Sequence, residues 1–372
     1  MVHLSAGLLL LFLCSALTAF VTTGIVRKAA EQAGLVDRPD ALRKHHSSAT
    51  PRIGGLAIIF GFGFPLLLLA GNSHAAELVS KNLTYLFAML ASGSLIIGLG
   101  VYDDVVGANA PKKFAVQIMA AVILVSFGYH FSFISIAGKV IELGVIGLLA
   151  SVVWIVFVIN AVNFIDGIDT LATIVSITVA VSFGVIAILR EDVFSLVIMT
   201  ALAGSLIGFF PWNRPPARIF MGDSGSLFIG LVLAACSIAR PSKSPTAFAI
   251  GGPMLALALP VLDTIFVMSH RFRGATAWRE RITAMFNADR RHIHHILVGR
   301  FGSAFKAIVT IWVVTVFFAA AAVMTAKDVT KPYGYTLGIV GLVVLVLLRY
   351  WHRGTAAAPI NTAADEGRSA AS

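Results

Sequence analysis

The stretch Val152-Val-Trp-Ile-Val-Phe-Val-Ile159, followed directly by Asn160-Ala-Val-Asn163-Phe-Ile-Asp166-Gly-Ile-Asp169, decides how the chain is read. An unbroken apolar run opens onto two amides and two carboxylates. Charged groups are costly in hydrocarbon and persist there mainly where they pair, bind ions or carry chemistry. Helix capping at a membrane surface accounts for one or two such residues, not for four at this spacing. The run therefore reads as a membrane-spanning helix that ends in a functional site.

The composition agrees. Of 372 residues, 58% are hydrophobic and 12% charged, and mean hydropathy is +0.89, which fits a polytopic membrane protein and excludes an ordinary soluble domain. Cys14 and Cys236 both lie in apolar runs, so neither a disulfide framework nor a cysteine metal site is expected. Residues 1–26 lack a basic leader before the apolar core, and Arg27-Lys28 follow it. That order argues for a first spanning helix, not a cleaved signal peptide.

A span needs about 20 mostly apolar residues. By that measure the chain is all-α with about eleven transmembrane helices, near 4–26, 53–71, 83–102, 114–129, 143–160, 168–189, 193–210, 224–239, 246–269, 303–326 and 334–350. Residues 1–353 form a single transmembrane catalytic domain with cytoplasmic loops 27–52, 103–113, 160–167, 211–223 and 270–302. The Ala-, Ser- and Thr-rich tail 354–372 is expected to be disordered. With the N-terminus outside, 21 of the 28 Lys and Arg fall on the inner side and 7 on the outer. The positive-inside rule then places the C-terminus in the cytoplasm. The formal charge of +10 thus belongs to a membrane surface, and no nucleic-acid partner is expected.

Every polar constellation falls on the same basic side. Asp103-Asp104 ends an otherwise uncharged helix; adjacent carboxylates repel and call for a nearby cation, with Lys112, Lys113 or a divalent metal as candidates. Gly222-Asp223-Ser224-Gly225-Ser226 opens the next constellation: the glycines permit close backbone approach, free N–H groups at the helix start can take a phosphate, and Asp223 can hold a metal. The basic loop 270–301 reads in part as an amphipathic segment on anionic head groups. Within it, His292-Ile-His294-His295 after Asp289 suits a phosphate clamp better than zinc, with His292 and His295 on one helical face. Asp263 lies within the ninth span, roughly 10 Å from its inner end at ~1.5 Å per residue; it is either functional or paired with Arg271 or a lysine.

Taken together, Asp37-Arg38-Pro39, Arg43-Lys44, Pro51-x-x-Gly54-Gly55, Asp103-Asp104, Asn160-x-x-Asn163-x-x-Asp166-Gly-x-Asp169, Phe220-Met-Gly-Asp223-Ser-Gly-Ser and Asp289-Arg290-x-His292-Ile-His294-His295 resemble the polyprenyl-phosphate N-acetylhexosamine-1-phosphate transferases, in order from about 35 to 300. The resemblance implies transfer of a sugar 1-phosphate from a UDP-sugar to undecaprenyl phosphate, with release of UMP and with Mg²⁺ or Mn²⁺ as cofactor. It makes Asn163 and Asp223 the metal ligands. Asp103, with Asp104 beside it, would contact or deprotonate the lipid phosphate, and Asp166 and Asp169 would organise nucleotide and metal. Asp37, Arg43, Lys44, Asn160, Arg290, His292, His294 and His295 would bind substrate. The His-x-His-His form resembles the bacterial branch that initiates O-antigen and similar glycans at the inner membrane. Arg279-Glu-Arg-Ile-Thr-Ala-Met-Phe-Asn-Ala stands where many relatives carry Ser-Pro-Phe, which leaves the donor sugar open. Membrane lipids are further expected partners, and homodimer formation is left open.

Two rival classes make different demands. An intramembrane aspartyl protease needs two facing carboxylates that share a proton and no metal. A transporter or lipid flippase needs ionisable groups near the bilayer midplane with access from both faces; only Asp263 comes near.

Overall fold

The computed structural model describes residues 2–37, 50–70, 73–136, 139–238, 251–274, 291–327 and 329–350. Arg43, Lys44, Asp289, Arg290 and the tail 354–372 lie outside the described residues. In chain order come α1 (Val2–Gln32), a short hairpin of β1 (Val36–Asp37) and β2 (Thr50–Pro51), α2 (Gly55–Ala70), α3 (Ser73–Lys81), α4 (Leu83–Val105) and α5 (Ala110–Ser126). A second antiparallel hairpin follows, β3 (Phe133–Ile136) and β4 (Lys139–Glu142), then α6 (Gly144–Ile165), α7 (Leu171–Leu189), α8 (Val193–Asn213) and α9 (Gly222–Ser237). The chain ends with α10 (Gly251–Ala256), α11 (Ala258–Gly274), α12 (Ile293–Phe301), α13 (Ala304–Thr325) and α14 (Lys331–Tyr350).

Helices among the described residues overlap the expected positions, the ninth as two pieces, and the fold is that of a multi-pass membrane protein. Among the described residues, seven helices are long and apolar enough to cross a membrane: those at Ser5–Gln32, Leu83–Val105, Gly144–Ile165, Leu171–Leu189, Val193–Asn213, Ala304–Thr325 and Lys331–Tyr350. Three segments differ from expectation for local reasons. The ninth segment is split at Leu257, because Pro260 has no N–H to give the preceding turn. The loop expected at 103–113 shrinks to 106–109: the Asn109 side chain accepts the Lys112 N–H (3.2 Å) and Pro111 sits in the first turn, a well-formed helix start. Helix α6 runs on to Ile165, so Asn160 and Asn163 lie in its last turns and not in a loop.

Lipid offers no hydrophobic drive for helix pairing, so small residues decide where backbones meet. Gly204 and Gly208 on α8 face the carbonyls of Phe12 and Ala16 on α1, and Gly61 on α2 faces Ala19. Helix α9 is buried around nearly its whole circumference, as an apolar helix inside a bundle should be. Its first turn is reached by α2 and α4 through glycine: a Cβ at Gly55 would strike the Gly225 backbone, and one at Gly100 the Cα of Ser224. Outward faces such as Leu9, Leu13 and Leu17 on α1 and Val145, Ile146, Leu149 and Val153 on α6 are exposed and suit a hydrocarbon surround.

Candidate active site

Four helix ends meet at one pole of the bundle: the last turn of α4, the first turns of α5 and α9, and the last turn of α6. Asp104 on α4 accepts the backbone N–H groups of Asp223 (2.7 Å, Oδ1) and Ser224 (3.0 Å, Oδ2). It therefore caps α9 from a neighbouring helix, where a negative charge is favoured. These are the N–H groups expected to bind phosphate, and Asp104 uses them instead. The chain reaches this start through Gly222, whose φ of +70° suits glycine. On the other side, Phe220 donates to the Pro51 carbonyl (2.8 Å), while Gly54 and Gly55 donate to the carbonyls of Phe220 (3.0 Å) and Met221 (2.7 Å). Segment 51–55 thus fixes the entry to α9.

Asp103, one residue earlier, faces the pole. Its Oδ1 accepts the Ala108 N–H (2.6 Å), and its Oδ2 pairs with Lys113 Nζ (2.6 Å). The same ammonium reaches Asp223 Oδ2 at 2.6 Å, so one cation bridges carboxylates 120 positions apart. Asn163 Nδ2 donates to Asp223 Oδ1 (3.1 Å) and to Ser226 Oγ (2.8 Å). The donors here are hard oxygens, the chemistry that suits Mg²⁺ or Mn²⁺. Among the described residues no group of three or more His, Cys, Asp or Glu could hold an ion unaided. Asp103 and Asp223 could hold such an ion only together with ligands from elsewhere, such as substrate phosphate and water.

The turn after α6 joins this acidic cluster to a second, imidazole cluster. Burial first, and then the charges of Asp223, Asp104 and Asp169, push the Asp166 carboxyl well above the usual carboxylate range. The turn is pinned from outside the site. Asp169 Oδ2 accepts the Ala217 N–H (3.0 Å). Asn213 Oδ1 accepts from Thr170 N (2.9 Å) and Thr173 Oγ1 (2.8 Å), while its Nδ2 donates to the Ile219 carbonyl (3.2 Å). Thr170 takes a left-handed φ of 73°, a conformation that persists only when surroundings hold it.

Gly167, at the tip of the turn, is where His294 packs; a Cβ there would strike its Nε2. His294 is 1% exposed, and neither ring nitrogen has a hydrogen-bond partner among the described residues. Burial, followed by the neighbouring His295, pushes its pKa down to about 3. The expected pairing of His292 and His295 on one helix face does not occur. The helix begins at Ile293 with His292 as its cap, so the His292 ring stacks instead on His294, with centroids 5.8 Å apart and planes 8° from parallel. Asp263 takes its charge partner from the far end of the chain, Arg349 (2.8 Å), and not from Arg271 or a lysine, the partners offered by the sequence.

Asp103, Asn163, Asp166, Asp223 and His294 are thus gathered at one pole, with Asp104 and Asp169 supporting them. Asp37 stands at the rim, ion-paired with Arg52. Asn160 is turned toward α5, where its Nδ2 donates to Gln117 Oε1 (2.6 Å). In the sequence Lys113 is one of several possible counter-charges to Asp103-Asp104, and Ser226 belongs to the Gly222–Ser226 motif without a role of its own; Gln117, Asn213 and Arg349 carry no signal in a single sequence beyond being polar residues at or within apolar runs.

Residues 86–240 match the family described as Glycosyl transferase family 4. The chain is 33% identical over 316 residues to a protein of Bacillus subtilis (strain 168) named probable undecaprenyl-phosphate N-acetylglucosaminyl 1-phosphate transferase, covering 84% of this chain and 83% of that one. It is 33% identical over 343 residues to a decaprenyl-phosphate N-acetylglucosaminephosphotransferase of Mycobacterium tuberculosis, covering 84% and 82%. Over 210 residues it is 33% identical to a phospho-N-acetylmuramoyl-pentapeptide-transferase of Streptococcus pneumoniae, covering 53% and 62%.

Proposed function

The chain belongs to glycosyl transferase family 4, and from that membership we propose that it transfers an N-acetylhexosamine 1-phosphate, GlcNAc-1-phosphate first among them, from a UDP-sugar to undecaprenyl phosphate. An oxygen of the lipid phosphate attacks the phosphorus that bears the sugar, the P–O bond to UMP breaks, and UMP leaves. The names of the relatives support the class of transfer and the polyprenyl-phosphate acceptor. The observation that carries the reading is the convergence of Asp103 and Asp223 on one lysine, with Asn163 bonded to Asp223 and the unpartnered His294 across the turn.

Both substrates carry phosphate, so the barrier is largely one anion approaching another. Asn163 and Asp223, with Asp103 adjacent, would hold a divalent cation, which when bound neutralises the donor diphosphate. Lys113 is placed to exchange its carboxylates for the lipid phosphate. A phosphate monoester is already largely ionised near neutral pH, so Asp103 positions the acceptor more than it abstracts a proton. Neutral His294 offers an N–H to an incoming phosphate oxygen. Between α5, α6 and α11 lies an apolar cavity of about 310 Å³ lined by Phe114, Val153, Phe157, Phe164 and Met268 and by Asn160, which supports an isoprenoid acceptor whose head group sits level with the helix ends. The site faces the cytoplasm across the inner membrane in this reading, and the product initiates a cell-surface glycan such as O-antigen.

The protease alternative asks Asp103 and Asp223 to share a proton with no cation beside them, but Lys113 pairs with both carboxylates and so favours their ionised forms. The transporter alternative asks for a responsive intramembrane charge, but Asp263 is already bonded to three donors. The test is radiolabelled UDP-GlcNAc with undecaprenyl phosphate in detergent, with mass spectrometry of the lipid product from mixed UDP-sugars. Wild-type protein is expected to release UMP and form the lipid diphosphate sugar. Asp103→Asn and Asp223→Ala are expected to insert normally and form none; full transfer by both variants would refute the site.

A further inference from the structure

Asp263 is an acid placed by sequence within a membrane-spanning run, and the proposed chemistry does not use it. It lies on α11, 2% exposed. Its carboxylate accepts from His292 Nδ1 (2.8 Å), the Ile293 N–H (2.9 Å) and Arg349 Nη1 (2.8 Å). Arg349, near the end of α14, also donates from Nη2 to the Arg291 carbonyl (2.9 Å) and lies over the Phe266 ring at 5.3 Å. Two buried charged side chains from two helices therefore grip three consecutive residues, 291 to 293, at the start of α12. All of these residues lie outside the segment 86–240 that matches the family.

We propose that Asp263 and Arg349 are positioning residues that hold the imidazole cluster in register with the acidic cluster. The proposal rests on the transfer reading above. A carboxylate accepts and does not donate, so the His292 proton facing it sits on Nδ1, and Nε2 is the nitrogen left for other work. Because His292 stacks on His294 and His294 packs against Gly167, turning the first ring shifts the second relative to Asp166. Stability alone gives no reason to keep such a cluster: a buried ion pair replaced by well-packed apolar residues is often neutral or stabilising. Fixing where α12 begins does give one, since a displacement of about 1 Å at a reacting centre can cost on the order of 10²-fold in rate.

The test uses full-length protein in detergent. In ¹⁵N-histidine-labelled wild type, the signal assigned to His292 by its loss in His292→Gln is expected to show a proton on Nδ1; a neutral ring protonated on Nε2 overturns the proposal. The second arm is the apolar pair Asp263→Leu/Arg349→Met, which leaves no unpaired buried charge. It is expected to remain monodisperse, with kcat lowered on the order of 10²-fold and KM for the UDP-sugar changed less than about threefold. A folded pair with wild-type kcat overturns the proposal, and so does failure of that pair to fold, which would make the cluster a stability element. If wild type transfers nothing to undecaprenyl phosphate, the transfer reading fails, and the ring-proton measurement alone judges the role of Asp263.

Discussion

His294 shows how a residue's surroundings set its protonation. Its pKa is pushed down to about 3 against ~6.5 in an unfolded chain. Between those values the unfolded chain binds a proton that the folded chain refuses. The contribution is therefore complete above the unfolded value and falls as pH drops toward the folded one. In detergent, the thermal midpoint is expected to decline from pH 7 to pH 4.5, and His294→Gln to flatten that decline; equal slopes in both proteins would contradict it. Asp166 has the opposite sign: its raised carboxyl pKa contributes stability at low pH that is lost as pH rises through the folded value. A divalent cation at the proposed site would reverse this by binding the deprotonated cluster in competition with protons. Millimolar Mg²⁺ is expected to raise the thermal midpoint more at pH 8 than at pH 5.5. Asp223→Ala should abolish that difference, and a shift unchanged in the variant would place the cation elsewhere.

At the scale of elements, the site depends on how closely α4 crosses α9. Asp104 reaches the start of α9 only because Gly100, one turn earlier, lets the backbones touch at Ser224. Gly100→Ala is expected to cost about 1–3 kcal/mol through overpacking and to lower transfer in the same variant. Gly98 on the same helix is exposed, with nothing within 4 Å of a Cβ position. Gly98→Ala should stay within about 0.5 kcal/mol of wild type. Melting curves and UMP release on the two variants check this; equal losses would show that helix propensity, not the crossing, governs. The glycines were visible in the sequence, but which of them meets a backbone was not, because the partner lies more than a hundred residues away.

For the whole molecule, the bundle puts the acidic and imidazole clusters at one pole. The β3–β4 hairpin and the α7–α8 turn lie at the other, because α5 and α7 run away from the site and α6 and α8 return to it. Combined with the 21-to-7 division of basic residues, this predicts which pole meets the cytoplasm. In a Cys14→Ser/Cys236→Ser background, Glu142→Cys and Glu191→Cys are expected to react with a membrane-impermeant maleimide on intact cells. Gly107→Cys should react only after permeabilisation. Labelling of Gly107→Cys on intact cells would invert the assigned orientation.

The sequence by itself determined that the chain lives in a membrane, where its helices fall, and which acids, amides and imidazoles are out of place in hydrocarbon. Transfer free energy is summed locally along the chain, so those features survive without knowledge of the fold. Only the tertiary structure decided the roles: that Asp103 faces Lys113 while Asp104 caps α9, that Asn163 turns to Asp223 while Asn160 turns to Gln117, and that Asp263 takes Arg349 as its partner. Each choice depends on which side chain of a distant helix comes within about 3 Å, and that distance is set by packing, which hydropathy does not encode.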